Sequence, residues 1–373
     1  MEKDLTIILP TFNEKGNVGP ILQDIKNVMK GRYVSFDVLF VDDSSDDTPE
    51  EIEKQKRENP ELEINTIHRS KENRTGLATA FIEGFKKAQG KYICCMDSDL
   101  QHPPSTIPEL YKKIIEEDAD LSVATRYIKG GSAEGLGSLK TFYGIYRRAV
   151  SLGFKYFTQI LFIPTRKTSD PLGGFFLFKK SILDNVNLSP KGFKILVEVL
   201  MRANVSKTVE VPYTFLVREN DDSKATLKQG LEFFKHLWHI FLTVPEAGRF
   251  IKFCIVGGSG VIVNIGILYL LVEFYDFGEH FAWAIAVVLS IFTNYIFNTL
   301  FTYSDKRSST QKESLRRVTL YYLISFFSII FNWLVFAGTM EYLGFHYVIA
   351  AFLGVIAATA INFILVTKVV WRL

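Results

Sequence analysis

Two regimes of hydrophobic patterning divide the chain. Up to about residue 245, short apolar runs alternate with longer amphipathic stretches. From about 250 to 373 the apolar runs lengthen and charges thin out. In the first regime Leu5–Leu9, Phe36–Val41, Glu63–His68, Tyr92–Met96 and Asp120–Ala124 predict strands. Segments 18–29 and 75–88 predict helices between them. Strands alternating with helices imply an α/β domain with a mostly parallel, Rossmann-like sheet covered on both faces. In such sheets ligand-binding groups collect at the carboxyl ends of strands. The polar clusters stand there: Pro10-Thr11-Phe12-Asn13-Glu14, Asp42-Asp43-Ser44-Ser45-Asp46-Asp47-Thr48 and Asp97-Ser98-Asp99-Leu100-Gln101.

In the second regime four apolar stretches, 251–273, 281–302, 318–340 and 346–367, approach or exceed the ~20 residues that span hydrocarbon. Arg249 and Lys252 open the first, and Lys306, Arg307, Lys312, Arg316 and Arg317 fill the loop between the second and third. Lys368 and Arg372 follow the fourth. The other two loops carry Glu273, Asp276, Glu279 and Glu341 without Lys or Arg. The positive-inside rule then places both ends, and the first domain, in the cytosol. Within the spans Asn264, Asn294, Asn298, Asn332 and Asn362 serve either interhelical hydrogen bonds or a polar head-group path. Between the regimes, Leu227, Leu231, Phe234, Leu237, Trp238 and Phe241 recur at helical spacing. They predict an amphipathic helix at the membrane interface, with packing against the soluble core as the competing reading.

Composition adds exclusions. A net charge of +3 is too small to argue for nucleic acid, and it hides a concentration of Asp and Glu in the first 240 residues. Three cysteines, Cys94, Cys95 and Cys254, make no disulfide framework, and the first two fall in a predicted buried strand. The polar start Met1–Asp4 runs straight into a strand, so no cleavable signal peptide is expected. Neither of the first two strands leads into GxGxxG, and GxxxxGK[ST] is absent, which argues against a dinucleotide fold and an ATPase.

The chemistry-bearing residues are mostly oxygen donors and cations. Asp97 and Asp99 suit Mg²⁺ or Mn²⁺ bridged to a pyrophosphate leaving group, with Asp99 the expected direct ligand and Asp97 a ligand or a contact through sugar or water. Gln101 and His102 are polar neighbours of that position. Asp42 and Asp43 would accept hydrogen bonds from a base or ribose, while Ser44, Ser45 or Asp46 would cap a helix. Arg126 closes the fifth strand, and Lys129 lies in a glycine-containing loop expected to be mobile. Arg147 and Arg148 lie on a helix, one of them expected to be a surface charge. Arg218 and Lys224 flank a polar segment. Together these cations would screen a donor pyrophosphate and an acceptor phosphate.

In order and number the motifs are specific. Leu9-Pro10-Thr11-Phe12-Asn13-Glu14, Val41–Thr48, Asp97–Pro104, Arg126-Tyr127, Asp170–Phe176, Gly192–Leu196 and Val209–Phe215 resemble the dolichol-phosphate mannose synthase family. This is a branch of the inverting GT-A glycosyltransferases of family 2, here in the form fused to a GtrA-like membrane domain. The resemblance implies a GT-A domain over 1–222, interface helices over 223–248 and a four-helix membrane domain over 249–373. It implies that Pro10, Asn13, Glu14, Asp42, Asp43, Asp97, Arg126 and Arg147 contact the nucleotide-sugar, and that Asp97, Asp99 and Gln101 surround the metal. Asp99, Gln101, Arg126 and Asp170 would be catalytic. Arg126, Arg147, Arg218, Ser223 and Lys224 would face the lipid phosphate. The implied reaction moves mannose from GDP-mannose, with Mg²⁺ or Mn²⁺, to a polyisoprenyl phosphate, with inversion. A UDP-glucose-dependent glucosyltransferase and a flippase-type membrane module are the alternatives. A processive synthase is disfavoured by the missing QxxRW motif. Oligomeric state is left open. One departure is local: Arg218-Glu219-Asn220-Asp221-Asp222-Ser223-Lys224 replaces the compact Arg-x-x-Gly-x-Ser-Lys of the family.

Overall fold

The computed structural model describes residues 3–372 apart from 71, 73, 75, 138–140, 190–192, 218–226, 245–246, 307, 309 and 344–345. The chain divides into two compact units, Met1–Val244 and Pro245–Leu373.

The first unit is built on a seven-stranded sheet. Its strands are β1 (Lys3–Thr11), β2 (Phe36–Asp42), β3 (Ile64–His68), β4 (Gly90–Cys95), β5 (Leu121–Thr125), β6 (Phe176–Lys179) and β7 (Thr208–Pro212). The spatial order is β3-β2-β1-β4-β6-β5-β7. Pairing is parallel except at β6, which runs antiparallel to both β4 and β5. The helices are α1 (Lys15–Met29), α2 (Thr48–Glu58), α3 (Leu77–Lys87), α4 (Ile107–Glu116), α5 (Phe142–Leu161), α6 (Ile195–Arg202) and α7 (Leu227–Thr243). They cover the sheet because its strands are apolar on both faces. Ile7 and Leu9 point into a core with Val18, Ile21 and Ile25 of α1. Ile8 points into the opposite core with Phe81 and Phe85 of α3. A fully buried side chain of this size is worth about 1.5–3 kcal/mol, so alternate residues of one strand hold both helical layers.

Two features positioned by this topology matter below. The chain order reverses between β1 and β4, and such a switch point opens a crevice at the strand ends. In the same unit α5 and α7 pack through Phe154 with Phe233 and Phe234, at 5.3 and 5.5 Å between ring centroids. α7 is apolar on two sides. Phe233, His236, Leu237, Ile240 and Phe241 are buried, while Leu231, Phe234, Trp238 and Leu242 are exposed. Ile145, Tyr156 and Ile160 of α5 are exposed as well.

The second unit contains α8 (Arg249–Glu273), α9 (Glu279–Phe297), α10 (Gln311–Leu343) and α11 (Tyr347–Leu365). α9 and α11 each run on into a π-helical turn, Asn298–Thr302 and Val366–Val370. Among the described residues four helices are long and apolar enough to cross a membrane. Consecutive helices form hairpins with close backbone approach. A Cβ on Gly260 would collide with the Asn294 carboxamide, and one on Gly354 with Asn332. The protein is a multi-pass membrane protein.

Candidate active site

A cleft of about 400 Å³ opens at the carboxyl ends of β1 and β4. The end of β1 supplies Pro10, Thr11 and Phe12, and the turn after it Glu14. The turn after β4 supplies Asp97, Ser98 and Asp99. Asp43 follows β2, and Arg74, Gly76 and Leu77 stand at the start of α3. Expected residues Pro10, Glu14, Asp43, Asp97 and Asp99 therefore line one cleft.

The turn that carries the two carboxylates is braced from several sides. Ser98 Oγ donates to the Pro10 carbonyl at 2.7 Å, tying the β4 turn to β1. Leu100 adopts φ +61°, the left-handed region that costs a branched side chain energy. The Gln101 backbone N–H then donates to Asp99 Oδ1 at 3.1 Å. The Asp97 N–H donates to His102 Nδ1 at 3.1 Å, which leaves the ring proton of neutral His102 on Nε2. His102 is buried and stacks on Phe175 at 5.2 Å. Burial holds its pKa below the usual value, against the opposing pull of Asp97 and Asp99. A Cβ on Gly174 would lie 3.1 Å from Asp97 Oδ2 and 3.3 Å from His102 Cε1, so glycine leaves room for this carboxylate.

The residues present fit a hard divalent cation. Two carboxylates stand in one cleft, and oxygen donors suit Mg²⁺ or Mn²⁺. Among the described residues no three His, Cys, Asp or Glu side chains gather to cage an ion. A metal there would draw its remaining oxygens from a diphosphate and water, the usual arrangement for Mg²⁺.

Several expected residues stand elsewhere. Asp42 is fully buried behind the cleft. Its Oδ1 accepts from Thr11 Oγ1 at 2.9 Å, and its Oδ2 pairs with His68 Nδ1 at 2.6 Å. Of the two neighbouring acids expected at the nucleotide, Asp43, one residue beyond the strand, lines the cleft and Asp42 does not. Asn13, at φ +59°, accepts from the Ser45 N–H at 2.9 Å and joins the two turns. Gln101 Nε2 donates to the Leu216 carbonyl at 2.9 Å, and the Leu216 N–H returns a bond to the Gln101 carbonyl at 3.0 Å. Its amide nitrogen thus holds the chain after β7. Asp170 is buried and grips Arg126. Arg147 lies half-buried on α5, outside the described wall of the cleft. Arg148 donates to the Gly137 carbonyl. The glycine loop expected to be mobile is laced to the chain after β7: Ser132 N–H to Tyr213 O at 3.0 Å and Phe215 N–H to Ser132 O at 2.8 Å. Arg218, Ser223 and Lys224 lie outside the described residues.

Residues 6–186 match glycosyl transferase family 2, and residues 252–371 match the GtrA/DPMS transmembrane domain. Over 367 residues the chain is 33% identical to the dolichol-phosphate mannosyltransferase of Pyrococcus furiosus, covering 98% of this chain and 99% of that one. The chain belongs to the dolichol-phosphate mannosyltransferase family. It is also 32% identical over 263 residues to the dolichol-phosphate mannosyltransferase of Saccharomyces cerevisiae, covering 68% of this chain and 92% of the yeast protein. The solved structure of Mycobacterium tuberculosis glucosyl-3-phosphoglycerate synthase shares 16% identity and a TM-score of 0.46, over 64% of this chain and 80% of that one.

As a dolichol-phosphate mannosyltransferase family member the protein is a glycosyltransferase, and three of its polar residues near the cleft escaped the sequence reading. Arg69 is buried and clamps Asp43 through Nε and Nη2, the Nε bond at 2.7 Å. Arg74 faces the cleft from the start of α3, its Nε donating to the Arg69 carbonyl at 3.1 Å. Lys194 donates to the Leu172 carbonyl at 2.8 Å, within electrostatic reach of Arg126, Asp97 and Asp170. Burial, with Arg126 adding to it, brings its pKa down to about 8. The motif containing Lys194 was visible in the sequence, but nothing local to Phe193-Lys194-Ile195 says that it folds back towards β4.

Proposed function

We propose that the protein transfers mannose from GDP-mannose to the phosphate of a polyisoprenyl phosphate, inverting the anomeric centre. The observation that carries this reading is the cleft at the β1/β4 switch point, lined by Asp97, Asp99 and Asp43 together with the end of β1. The full-length relative named dolichol-phosphate mannosyltransferase supports the acceptor and the sugar. Asp43, held in place by Arg69, would take the nucleoside. Asp97 and Asp99 would hold Mg²⁺ or Mn²⁺, which, when bound, neutralises the departing diphosphate. Arg126, fixed by Asp170, and Lys194 would bring positive charge to the reacting phosphates. A phosphate monoester needs little help from a base at neutral pH, so the protein's work is alignment and charge screening. The exposed apolar side chains of α5 and α7 would rest in the bilayer surface and bring the cleft to the lipid head group. By the positive-inside rule the catalytic unit and both termini would be cytosolic.

The test is a donor panel. Purified protein in lipid receives labelled GDP-mannose or UDP-glucose, polyprenyl phosphate, and Mg²⁺ or Mn²⁺ against a chelator. Transfer from GDP-mannose, lost with chelator and in Asp99→Ala, supports the proposal. Transfer from UDP-glucose alone moves the chain to glucosyl transfer. Full activity of Asp99→Ala in excess metal rejects the metal assignment.

A further inference from the structure

The second unit repeats itself. A displacement of 68 residues carries the first hairpin, α8 with α9, onto the second, α10 with α11. Arg249 falls on Arg317, Asn264 on Asn332, Glu273 on Glu341, Asn294 on Asn362 and Thr299 on Thr367. π-helical turns are rare, yet Asn298–Thr302 and Val366–Val370 end the two hairpins at this same displacement. Burial repeats with the chemistry. Arg249 and Arg317 are each 7% exposed, Phe253 and Tyr321 are 4% and 3%, and Ala282 and Ala350 are both 0%.

Contacts between the hairpins repeat too. Tyr295 meets Tyr321 at 5.7 Å between centroids and 67° between planes. The positions displaced by 68 residues, Phe363 and Phe253, meet at 5.5 Å and 64°. When i touches j and their equivalents touch in turn, the two halves are paired about a two-fold axis. A residue touches its own equivalent only on that axis. Tyr303 and Trp371 are such a pair, stacked at 4.0 Å and 8°.

We infer that the membrane unit is a tandem duplication of one helical hairpin, 249–303 and 317–371, folded as a two-fold pair that closes on itself through a shared seam. Neither half is specialised to be the outer or the inner one. Each enters with a buried arginine, closes on an asparagine-lined helix pair and ends in a π turn and an aromatic ring on the axis. The seam combines aromatic stacking with hydrogen bonds between the hairpins, Asn298 Nδ2 to the Tyr321 hydroxyl at 2.9 Å and the Tyr303 hydroxyl with Thr367 Oγ1 at 2.7 Å.

Two measurements on the full chain test this. The first exchanges the axial rings, Tyr303→Trp with Trp371→Tyr, and compares thermal unfolding in detergent with Tyr303→Ala and Trp371→Ala. Two-fold pairing predicts that the exchange leaves the midpoint close to the parent, while each alanine variant lowers it by a similar amount. An exchange as damaging as the alanine variants overturns the inference. The second places cysteines at 253 with 363, or at 295 with 321, after replacing Cys94, Cys95 and Cys254 by alanine. Cross-linking in native membranes with a bifunctional thiol reagent that spans two facing aromatic side chains should proceed at both pairs with similar yield. Cross-linking at one pair only, in protein that still transfers sugar, overturns the repeat, and if the cysteine variants fail to fold the ring exchange decides.

Discussion

Arg126 and Asp170 meet at two points, Nε to Oδ2 at 2.7 Å and Nη2 to Oδ1 at 2.8 Å, with side chains 9% and 1% exposed. The guanidinium also lies 5.2 Å from the centre of the Phe215 ring. Removing one partner strands the other charge in the interior. Asp170→Ala should therefore cost about 3–5 kcal/mol of stability. The double variant Arg126→Met with Asp170→Leu should recover most of that loss and still fail to transfer sugar. Unfolding in denaturant beside a transfer assay separates the two effects. Recovery of activity in the double variant would leave Arg126 a structural role only.

Of the adjacent acids Asp42 and Asp43 it is Asp43 that lines the cleft, and Arg69 fixes its orientation. Asp43→Asn keeps the shape and removes the charge that balances Arg69. Donor KM should rise about tenfold, equivalent to 1.4 kcal/mol, with kcat little changed. The same assay on Asp42→Asn should show lost stability rather than a selective KM effect, because Asp42 is a buried brace to Thr11 and His68. A larger donor KM effect in Asp42→Asn would reverse the assignment.

Gly174 leaves space beside Asp97. In Gly174→Ala the new methyl presses on the carboxylate and on His102, at distances that demand a shift of a few tenths of an ångström. Titration of Mn²⁺ in the presence of nucleotide should show weaker binding with an unchanged unfolding midpoint. Unaltered metal affinity would mean that Asp97 is not held against the ion.

Lys194 predicts an alkaline limb. Its pKa is brought down to about 8 by burial and by Arg126, while Asp97 and Asp170 act to raise it. The charge is present below that value and lost as pH rises through it. If Lys194 screens phosphate, kcat/KM should fall above about pH 8, and Lys194→Arg should move the fall to higher pH. Stability runs the other way. The unfolded lysine keeps its proton to about pH 10.4, so between the two values the unfolded chain binds more protons and folding gains with pH. A profile unchanged in Lys194→Arg would remove the residue from the reaction.

Much of this was legible in the sequence, for identifiable reasons. Continuous apolar runs such as Leu5–Leu9 report strands buried on both faces, and the acids that end them must then stand at the sheet's edge. Four long apolar helices cannot be hidden in any other pattern. What stayed illegible depends on distant pairing. Phe176–Lys179 is a four-residue strand that inserts antiparallel between β4 and β5, and no local signal distinguishes it from a loop. Asp42 and Asp43 are adjacent, and only the strand register decides that the first points inward to Thr11. α5 carries Ile145, Tyr156 and Ile160 on its open side, yet its apolar residues read equally well as core.

Leu100 has a consequence for anyone who engineers this chain. A left-handed leucine sits between Asp99 and Gln101, where glycine or asparagine would relax. A thermostability campaign that scores only melting would be drawn to that position and rewarded there. The gain would come from loosening the turn that aims the carboxylate, so heat resistance and turnover would part company at residue 100.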